Sequence, residues 1–169
     1  MIIARLSSLA TVLAAAAAVA ATVVVGAPAL AQTKQAAQTK PSKPAASAQH
    51  KVAIQVNQND KAVMDLALNN AKNIAEHFKA KGETVAIELV AYGPGLHMLR
   101  SDTSPVKERI SVMSLENPNM TFAACGNTQA NQAKAENKPV TLISEAKVTP
   151  SGVVRLMELQ KQGYAYIRP

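Results

Sequence analysis

Short apolar segments alternate along this chain with longer segments whose apolar residues recur at helical spacing. Residues 51–57 (KVAIQVN) and 84–91 (TVAIELVA) have the apolar character of buried strands, which is nearly continuous in the second. Residues 60–81 between them carry apolar side chains every three or four positions, as an amphipathic helix does. Because neighbouring parallel strands need a long, usually helical connection, the alternation predicts an α/β fold with a mostly parallel sheet and helices on both faces.

The rest of the chain continues this alternation and brings the number of predicted strands to five. Asn59 or Asp60 is the predicted N-cap of the first helix, and Gly82 ends it. The Gly-Pro-Gly segment that follows the second strand is predicted to be a loop. The later predicted elements are a helix over 105–115, a strand over 119–124, a helix over 127–137, a short strand near 146–148, a helix opened by residues 149–152 and ended by Gly163, and a strand over 164–168.

The N-terminus has the three parts of a secretory signal peptide. Arg5 supplies a positive charge, an apolar run extends from Leu9 to Val25, and Ala29-Leu30-Ala31 is a small-x-small cleavage site before Gln32. Residues 1–31 are therefore predicted to be cleaved, which leaves no stable membrane span and places the mature chain in the periplasm or outside the cell. The alternative is an uncleaved anchor, because the apolar run is close to membrane-spanning length.

Composition divides the remaining sequence into a linker and one domain. Residues 32–50 are rich in Ala, Gln, Ser, Thr, Lys and Pro and contain no large apolar side chain, so they are predicted to be a disordered linker. Residues 51–169 have the length of a single domain with one sizeable core.

The residue types of the chain argue against several classes of function. The formal charge of +7 includes no basic block interleaved with aromatic residues, and the chain has no Trp, so no nucleic acid is expected as a partner. The Gly-Pro-Gly run matches neither the P-loop nor the dinucleotide-binding spacing, so no cofactor is expected. His50, His77 and His97 have no metal-ligand spacing between them, so no metal is expected within one chain.

Cys125 is the only cysteine of the chain, and it stands where the third predicted strand passes into a helix. Backbone N–H groups at a helix N-terminus favour a thiolate over a thiol, with Asn127 or Thr128 as the predicted cap. Gly126 would let the backbone approach an anionic group such as a persulfide. The alternative is that Cys125 is a small packed side chain.

Ligands of open parallel sheets bind outside the carboxyl ends of the strands. The loops that follow the first three strands are therefore predicted to form the site, with His97 as a proton donor or acceptor or as a positive neighbour of the thiolate. The predicted pocket residues beside Cys125 are Asn57, Tyr92, Gly93, Gly95, His97, Gly126, Asn127 and Thr128.

Three segments together resemble the DsrE/DsrF-like family, in its exported branch of small proteins. They are YGPGLHML after the second strand, FAACGNT around Cys125, and the terminal run VTPSGVVRLMELQKQGYAYIRP. The resemblance covers residues 51–169. It implies a compact α/β domain with a five-stranded parallel sheet, similar to flavodoxin in its three-layer arrangement.

The resemblance also implies a function and an assembly. In sulfur-relay members of the family, a cysteine near the end of a comparable strand carries persulfide sulfur, and Cys125 stands at that place. A solvent-accessible, sulfur-carrying Cys125 is therefore expected, with a sulfur donor or acceptor protein as partner and a dimer, trimer or hexamer as the assembly. The alternative is a non-catalytic module that binds a small ligand or assembles into oligomers, in which Cys125 only packs.

Overall fold

A computed structural model describes residues 48–169, so the predicted signal peptide and most of the predicted linker lie outside the described residues. The elements, in chain order, are β1 (His50–Val56), α1 (Lys61–Ala80), β2 (Val85–Ala91), a 3₁₀ helix (Gly93–Leu99), α2 (Lys107–Glu116), β3 (Met120–Cys125), α3 (Gly126–Glu136), β4 (Ala146–Thr149), α4 (Gly152–Lys161) and β5 (Ala165–Ile167).

The five strands form one sheet in the order β4-β3-β2-β1-β5, and every neighbouring pair is parallel. The predicted five-stranded parallel α/β fold is therefore confirmed. Between residues 48 and 169, no helix is both long enough and apolar enough to cross a membrane.

The two faces of the sheet are covered very differently. One face packs against α1, α2 and the 3₁₀ helix, whose buried side chains include Leu68, Leu96 and Ile110. On the other face the small strand residues Ala53, Val90 and Ala123 pack against Leu156 and Leu159 of α4. The site described below lies at the end of the face that α4 covers.

The start of β1 corrects the predicted boundary between linker and domain. His50 is the first residue of the strand rather than the last of a linker, and its Nε2 lies 2.7 Å from a carboxylate oxygen of Glu83. The His50 ring stacks on Phe78 with 3.8 Å between the ring centroids. These contacts fix His50, which a compositional boundary could not show.

The Gly-Pro-Gly segment is also different from its prediction, because it opens a 3₁₀ helix rather than a loop. Pro94 occupies a first-turn position, where its missing N–H needs no partner. A Cβ on Gly95 would lie 2.3 Å from the carbonyl oxygen of Val56, so only glycine allows the 3₁₀ helix to pass this close to the end of β1.

A partly buried ion pair connects α4 to the central strand of the sheet. Nε and Nη2 of Arg155 donate to the two carboxylate oxygens of Glu88 at 2.6 and 2.7 Å. Glu88 is only 7% exposed, although it lies on β2 among apolar strand residues. A carboxylate with so little access to water destabilises the fold unless a positive charge is paired with it.

Replacing Arg155 with methionine should lower the free energy of unfolding by about 2 kcal/mol, because Glu88 would be left buried without a counter-charge while Arg155 itself lies partly in solvent. The double variant Glu88→Leu/Arg155→Met should recover most of that loss, since no unpaired charge remains. Urea denaturation of the three proteins measures both effects. Equal losses in the single and double variants would contradict a role for the unpaired carboxylate.

A second cluster ties the end of the 3₁₀ helix to the end of α3. The side chain of Arg100 is 1% exposed and donates to both carboxylate oxygens of Asp102 at 2.9 and 2.8 Å. It also donates to both carboxylate oxygens of Glu136, one of them at 2.9 Å. These hydrogen bonds hold the pKa of Glu136 at about 2, below its ordinary value of 4.5. They also lower the pKa of Asp102.

Stability should therefore depend on pH through the Arg100 cluster. A carboxylate whose pKa is lowered by folding stabilises the protein above its unfolded-state pKa, and that stabilisation is lost as the pH falls through the folded-state value. For Glu136 the loss runs from about pH 4.5 towards pH 2. Across this pH range, the free energy of unfolding should fall less steeply with acidification in Arg100→Met than in Lys72→Met. The Lys72→Met variant is the control, because it removes one positive charge elsewhere. Equal slopes in the two variants would contradict a contribution of the Arg100 cluster to the pH dependence of stability.

Candidate functional site

The carboxyl ends of the three central strands lie level with one another. Val56 of β1 pairs with Ala91 of β2, and Ala91 pairs with Ala124 of β3. Asn57 and Tyr92, which follow β1 and β2, therefore lie level with Cys125, the last residue of β3. The parallel register brings together three of the residues that the sequence predicted for the site.

Cys125 is both the last residue of β3 and the N-cap of α3. Its sulfur accepts a hydrogen bond from the backbone N–H of Thr128 at 3.5 Å. The sequence predicted Asn127 or Thr128 as the cap, which is wrong, because α3 begins directly at Gly126. The cysteine thus caps its own helix, and the thiol lies at the positive end of the helix dipole.

A second helix N-terminus reaches the same sulfur. Burial raises the pKa of the Cys125 thiol. Hydrogen bonds from the Thr128 hydroxyl and from the backbone N–H groups of Gly152, Thr128 and Asn127 lower the pKa by more than burial raises it. The net pKa is therefore below its ordinary value. Gly152 is the first residue of α4. Two helix N-termini therefore stabilise the thiolate form.

Cys125 is nevertheless enclosed in the folded chain. The residue is 5% exposed, so the expectation of a solvent-accessible thiol is wrong for the single chain. The start of α4 that supplies the Gly152 N–H also brings this backbone against the sulfur.

Gly152 fits between Cys125 and Tyr92 because it has no side chain. A Cβ at this position would lie 2.8 Å from Cβ of Tyr92 and 3.2 Å from two atoms of its ring. Sequence reasoning missed Gly152 as a site residue. The available signal was its position as the last residue of Thr-Pro-Ser-Gly, where the final helix was predicted to start.

Tyr92 is held in a polar cluster at the ends of β1 and β5. Gln55 donates an amide N–H to the Tyr92 hydroxyl at 2.7 Å and accepts a hydrogen bond from the Tyr166 hydroxyl. Burial and the neighbouring Tyr166 raise the pKa of Tyr92, while Arg168 and a hydrogen bond from Asn57 oppose this effect. Asn57 and Tyr92 are therefore brought together, with Arg168 as a nearby positive charge. Gln55, a buried polar residue within an apolar strand, was a signal in the sequence that was not used.

The other predicted residues lie around the 3₁₀ helix. The Gly93 N–H donates to Oγ1 of Thr128 at 2.9 Å, and Nδ1 of His97 lies 3.0 Å from Oγ1 of Thr103. A groove of about 470 Å³ runs between this helix and α3. Its lining consists of Asn59, Gly93, Pro94, His97, Thr128, Asn131, Gln132 and Ala135.

The 3₁₀ helix that carries His97 and the β3 residues before Cys125 belong to different faces of the sheet. The 3₁₀ helix that carries His97 packs into the core on the α1 side of the sheet, whereas Ala123, two residues before Cys125, packs against α4. None of the groups that shift the pKa of Cys125 is His97. Thr128 connects the two regions, since it lines the His97 groove and also contacts the sulfur.

The part of the chain that the structure describes contains no set of side chains that could bind a metal ion. No group of three His, Cys, Asp or Glu side chains lies close enough together there to hold an ion. The arrangement around Cys125 instead consists of neutral N–H and O–H donors. Such donors suit an anionic sulfur species.

Gly152→Ala should destabilise the protein by about 2 kcal/mol, because the new methyl group must displace either Tyr92 or the start of α4. Gly126→Ala is the matched control, since a Cβ there would meet nothing closer than 3.2 Å, and its loss should be smaller. Chemical denaturation measures both. A Gly152→Ala protein as stable as Gly126→Ala would show that the backbone tolerates a side chain between Tyr92 and Cys125.

Comparison with known proteins places this architecture in a family. A solved structure of a protein of unknown function, MTH1491 from Methanobacterium thermoautotrophicum, is similar with a TM-score of 0.60 and 30% sequence identity, over 71% of this chain and 99% of that one. No curated protein matches the sequence. The model of the DsrE/DsrF-like family matches residues 50–169, which is nearly all of the described chain. The chain therefore belongs to the DsrE/DsrF-like family.

Proposed function

We propose that this protein is a periplasmic sulfur carrier of the sulfurtransferase type, in which Cys125 accepts sulfane sulfur and passes it on. The observation that carries the proposal is the convergence of two helix N-termini on the only sulfur nucleophile of the chain. A lowered pKa increases the thiolate fraction, and the thiolate is the form that attacks a sulfur–sulfur bond.

The loading step needs no metal and no external oxidant. The Cys125 thiolate attacks the sulfane sulfur of a polysulfide or thiosulfate, and a new S–S bond forms to Sγ as the donor S–S bond breaks. The electron pair of the broken bond leaves with the shortened polysulfide or with sulfite. Cys125 becomes a persulfide, and delivery is the same exchange with an acceptor thiolate, which takes the outer sulfur and returns the Cys125 thiolate.

The hydrogen-bond donors at the site suit the loaded state as well as the free thiolate. A persulfide carries its negative charge on the outer sulfur, next to the same helix ends. Gly126 supports the approach of such a group, since its backbone has no side chain over the start of α3. Asn57, Tyr92 and Arg168 supply further polar groups beyond Gly152.

The donor needs a path to a sulfur that is 5% exposed. A groove of about 380 Å³ opens on the α4 side of β3 and β4, and Thr149 and Pro150 are among its lining residues. Thr149 is the strand partner of Cys125. We place the approach of the donor on this side, where movement of the segment before α4 uncovers the thiol.

The compartment and the assembly are part of the same proposal. The N-terminal sequence supports export to the periplasm or beyond by a cleaved signal peptide. A homo-oligomer is supported by apolar side chains of α4 that are half-exposed, namely Val153, Val154 and Met157. Sedimentation of the mature protein as a monomer at every concentration would exclude the oligomer.

Incubation with polysulfide should add about 32 Da, one sulfur atom, to the intact mass of the wild-type protein, and a reducing agent should remove it. Cys125→Ser should show no such addition, because its hydroxyl cannot form the S–S bond. Thiosulfate tests a second donor in the same assay. The carrier function is wrong if the wild type gains no sulfur from either donor, or if Cys125→Ser gains as much.

The second candidate is a non-catalytic binding or assembly module, in which Cys125 only fills space. The observation that favours it is the enclosure of the thiol. It predicts slow reaction with iodoacetamide at neutral pH and an unchanged oligomeric mass for Cys125→Ser in sedimentation. Rapid alkylation of the wild-type thiol would exclude it.

A further inference from the structure

The groove of about 380 Å³ on the α4 side of β3 and β4, called the donor groove below, is lined by three charged side chains, Glu88, Lys147 and Arg155. Two of them are paired, since the Arg155 guanidinium donates to both carboxylate oxygens of Glu88. The other ion contact of Arg155 is Glu158, 3.7 Å away on the same helix. The lining of the donor groove therefore has a net positive charge, and Lys147 is its source.

Lys147 is exposed on β4, which is an edge strand of the sheet. No ion pair within residues 48–169 includes it. A lysine on an edge strand has an ordinary role, because its charge discourages pairing with a foreign strand. That role requires neither a groove beside the lysine nor a position on the same face as a reactive thiol, and Lys147 has both.

The strand register places Lys147 on the same face of the sheet as Cys125. Lys147 pairs with Ala123, and Thr149 pairs with Cys125. Residues two apart on a strand point to the same face, and Ala123 packs on the α4 side. With a rise of about 3.3 Å per residue and a strand spacing of about 4.8 Å, the Cα atoms of Lys147 and Cys125 are about 8 Å apart. A single small anion therefore spans the distance between the ammonium group and the sulfur.

The segment between β4 and α4 separates the donor groove from the thiol. Thr149 and Pro150 line the groove, and Thr149 is the strand partner of Cys125. The carbonyl oxygen of Pro150 accepts a hydrogen bond from the backbone N–H of Asn127 at 3.2 Å, which ties this segment to α3. A molecule that approaches Cys125 from this side therefore meets Lys147 before it meets the sulfur.

A positive charge at this position favours one class of sulfur donor. Thiosulfate and polysulfides are small anions whose negative charge is close to the sulfur that is attacked. Their reaction with a thiolate brings two negative charges together, and a nearby ammonium group offsets part of that repulsion. A neutral donor such as an organic trisulfide gains no such stabilisation.

We propose that Lys147 is the anion-binding residue of the donor groove, and that it gives Cys125 a preference for small anionic sulfur donors over neutral ones. This inference rests on the proposed function, since it names the substrate class of the same thiol. It also assigns a ligand-binding role to a strand that contributes no hydrogen-bond donor to the sulfur itself.

The first test compares alkylation of native Cys125 by iodoacetate, an anion, and by iodoacetamide, a neutral reagent of similar size. The ratio of the two rate constants cancels the pKa and the exposure of the thiol, because both reagents attack the same thiolate. Lys147→Gln should lower the ratio about threefold, since one positive charge about 8 Å from the sulfur is removed, and Lys147→Glu about tenfold. Lys147→Arg should keep the wild-type ratio. Lys161→Gln is the matched control, because it removes an exposed positive charge from the last residue of α4.

The second test measures binding without reaction, on the Cys125→Ser protein. Titration with thiosulfate, followed by NMR, should shift the backbone amide signals of the donor groove, namely those of Thr121, Ala123 and Lys147. The shifts should largely disappear in Cys125→Ser/Lys147→Gln and persist in Cys125→Ser/Lys161→Gln. Equal shifts in the three proteins, or no shift in any of them, would overturn Lys147 as the anion-binding residue.

The inference and the proposed function fail in different ways. A ratio of iodoacetate to iodoacetamide rates that is the same in the wild type and in Lys147→Gln overturns the preference for anions, even where polysulfide still adds sulfur to Cys125. A native Cys125 that neither reagent alkylates overturns it too. A ratio and thiosulfate shifts that depend on Lys147, in a protein that gains no sulfur from polysulfide or thiosulfate, overturn the carrier function and leave the anion-binding site intact.

Discussion

The parallel pairing of the central strands is the constraint on which the rest of the structure depends. Because Val56, Ala91 and Ala124 are in register, the next residues Asn57, Tyr92 and Cys125 come side by side at the carboxyl edge of the sheet. The polar groups at this edge therefore come from segments that are far apart in sequence. This topology is what brings the other site residues to Cys125. Its own neighbours in the sequence add only the donors at the start of α3.

The unequal covering of the two faces has a direct effect on that site. Within residues 48–169, three helical segments pack on one face, while α4 is the helix that packs on the other through two leucines and the Arg155–Glu88 pair. The N-terminus of α4 also completes the donors around the thiol. The helix that covers this face of the sheet thus also acts on the ionisation of Cys125.

Strands and helices were predictable because their apolar residues follow the two periodicities of regular structure, and the parallel sheet followed from their alternation. The local structure at the carboxyl edge of the sheet was not predictable, because it depends on contacts between residues that are distant in the sequence. The 3₁₀ helix exists because Gly95 can pass against Val56, and Cys125 is its own cap because β3 has no connecting residue before α3. The placement of His97 away from Cys125 follows from the face on which the 3₁₀ helix packs, which no local pattern records.

The two edges of the sheet are short. β4 has four residues and is followed by Pro150, and β5 has three and stands two residues before the terminal Pro169. Proline lacks a backbone donor, and brief edge strands offer few free N–H and C=O groups to a neighbouring chain. The domain is therefore a poor template for adding foreign strands, which protects it from sheet-to-sheet aggregation. Contacts between copies would have to use side chains in place of a shared hydrogen-bond ladder.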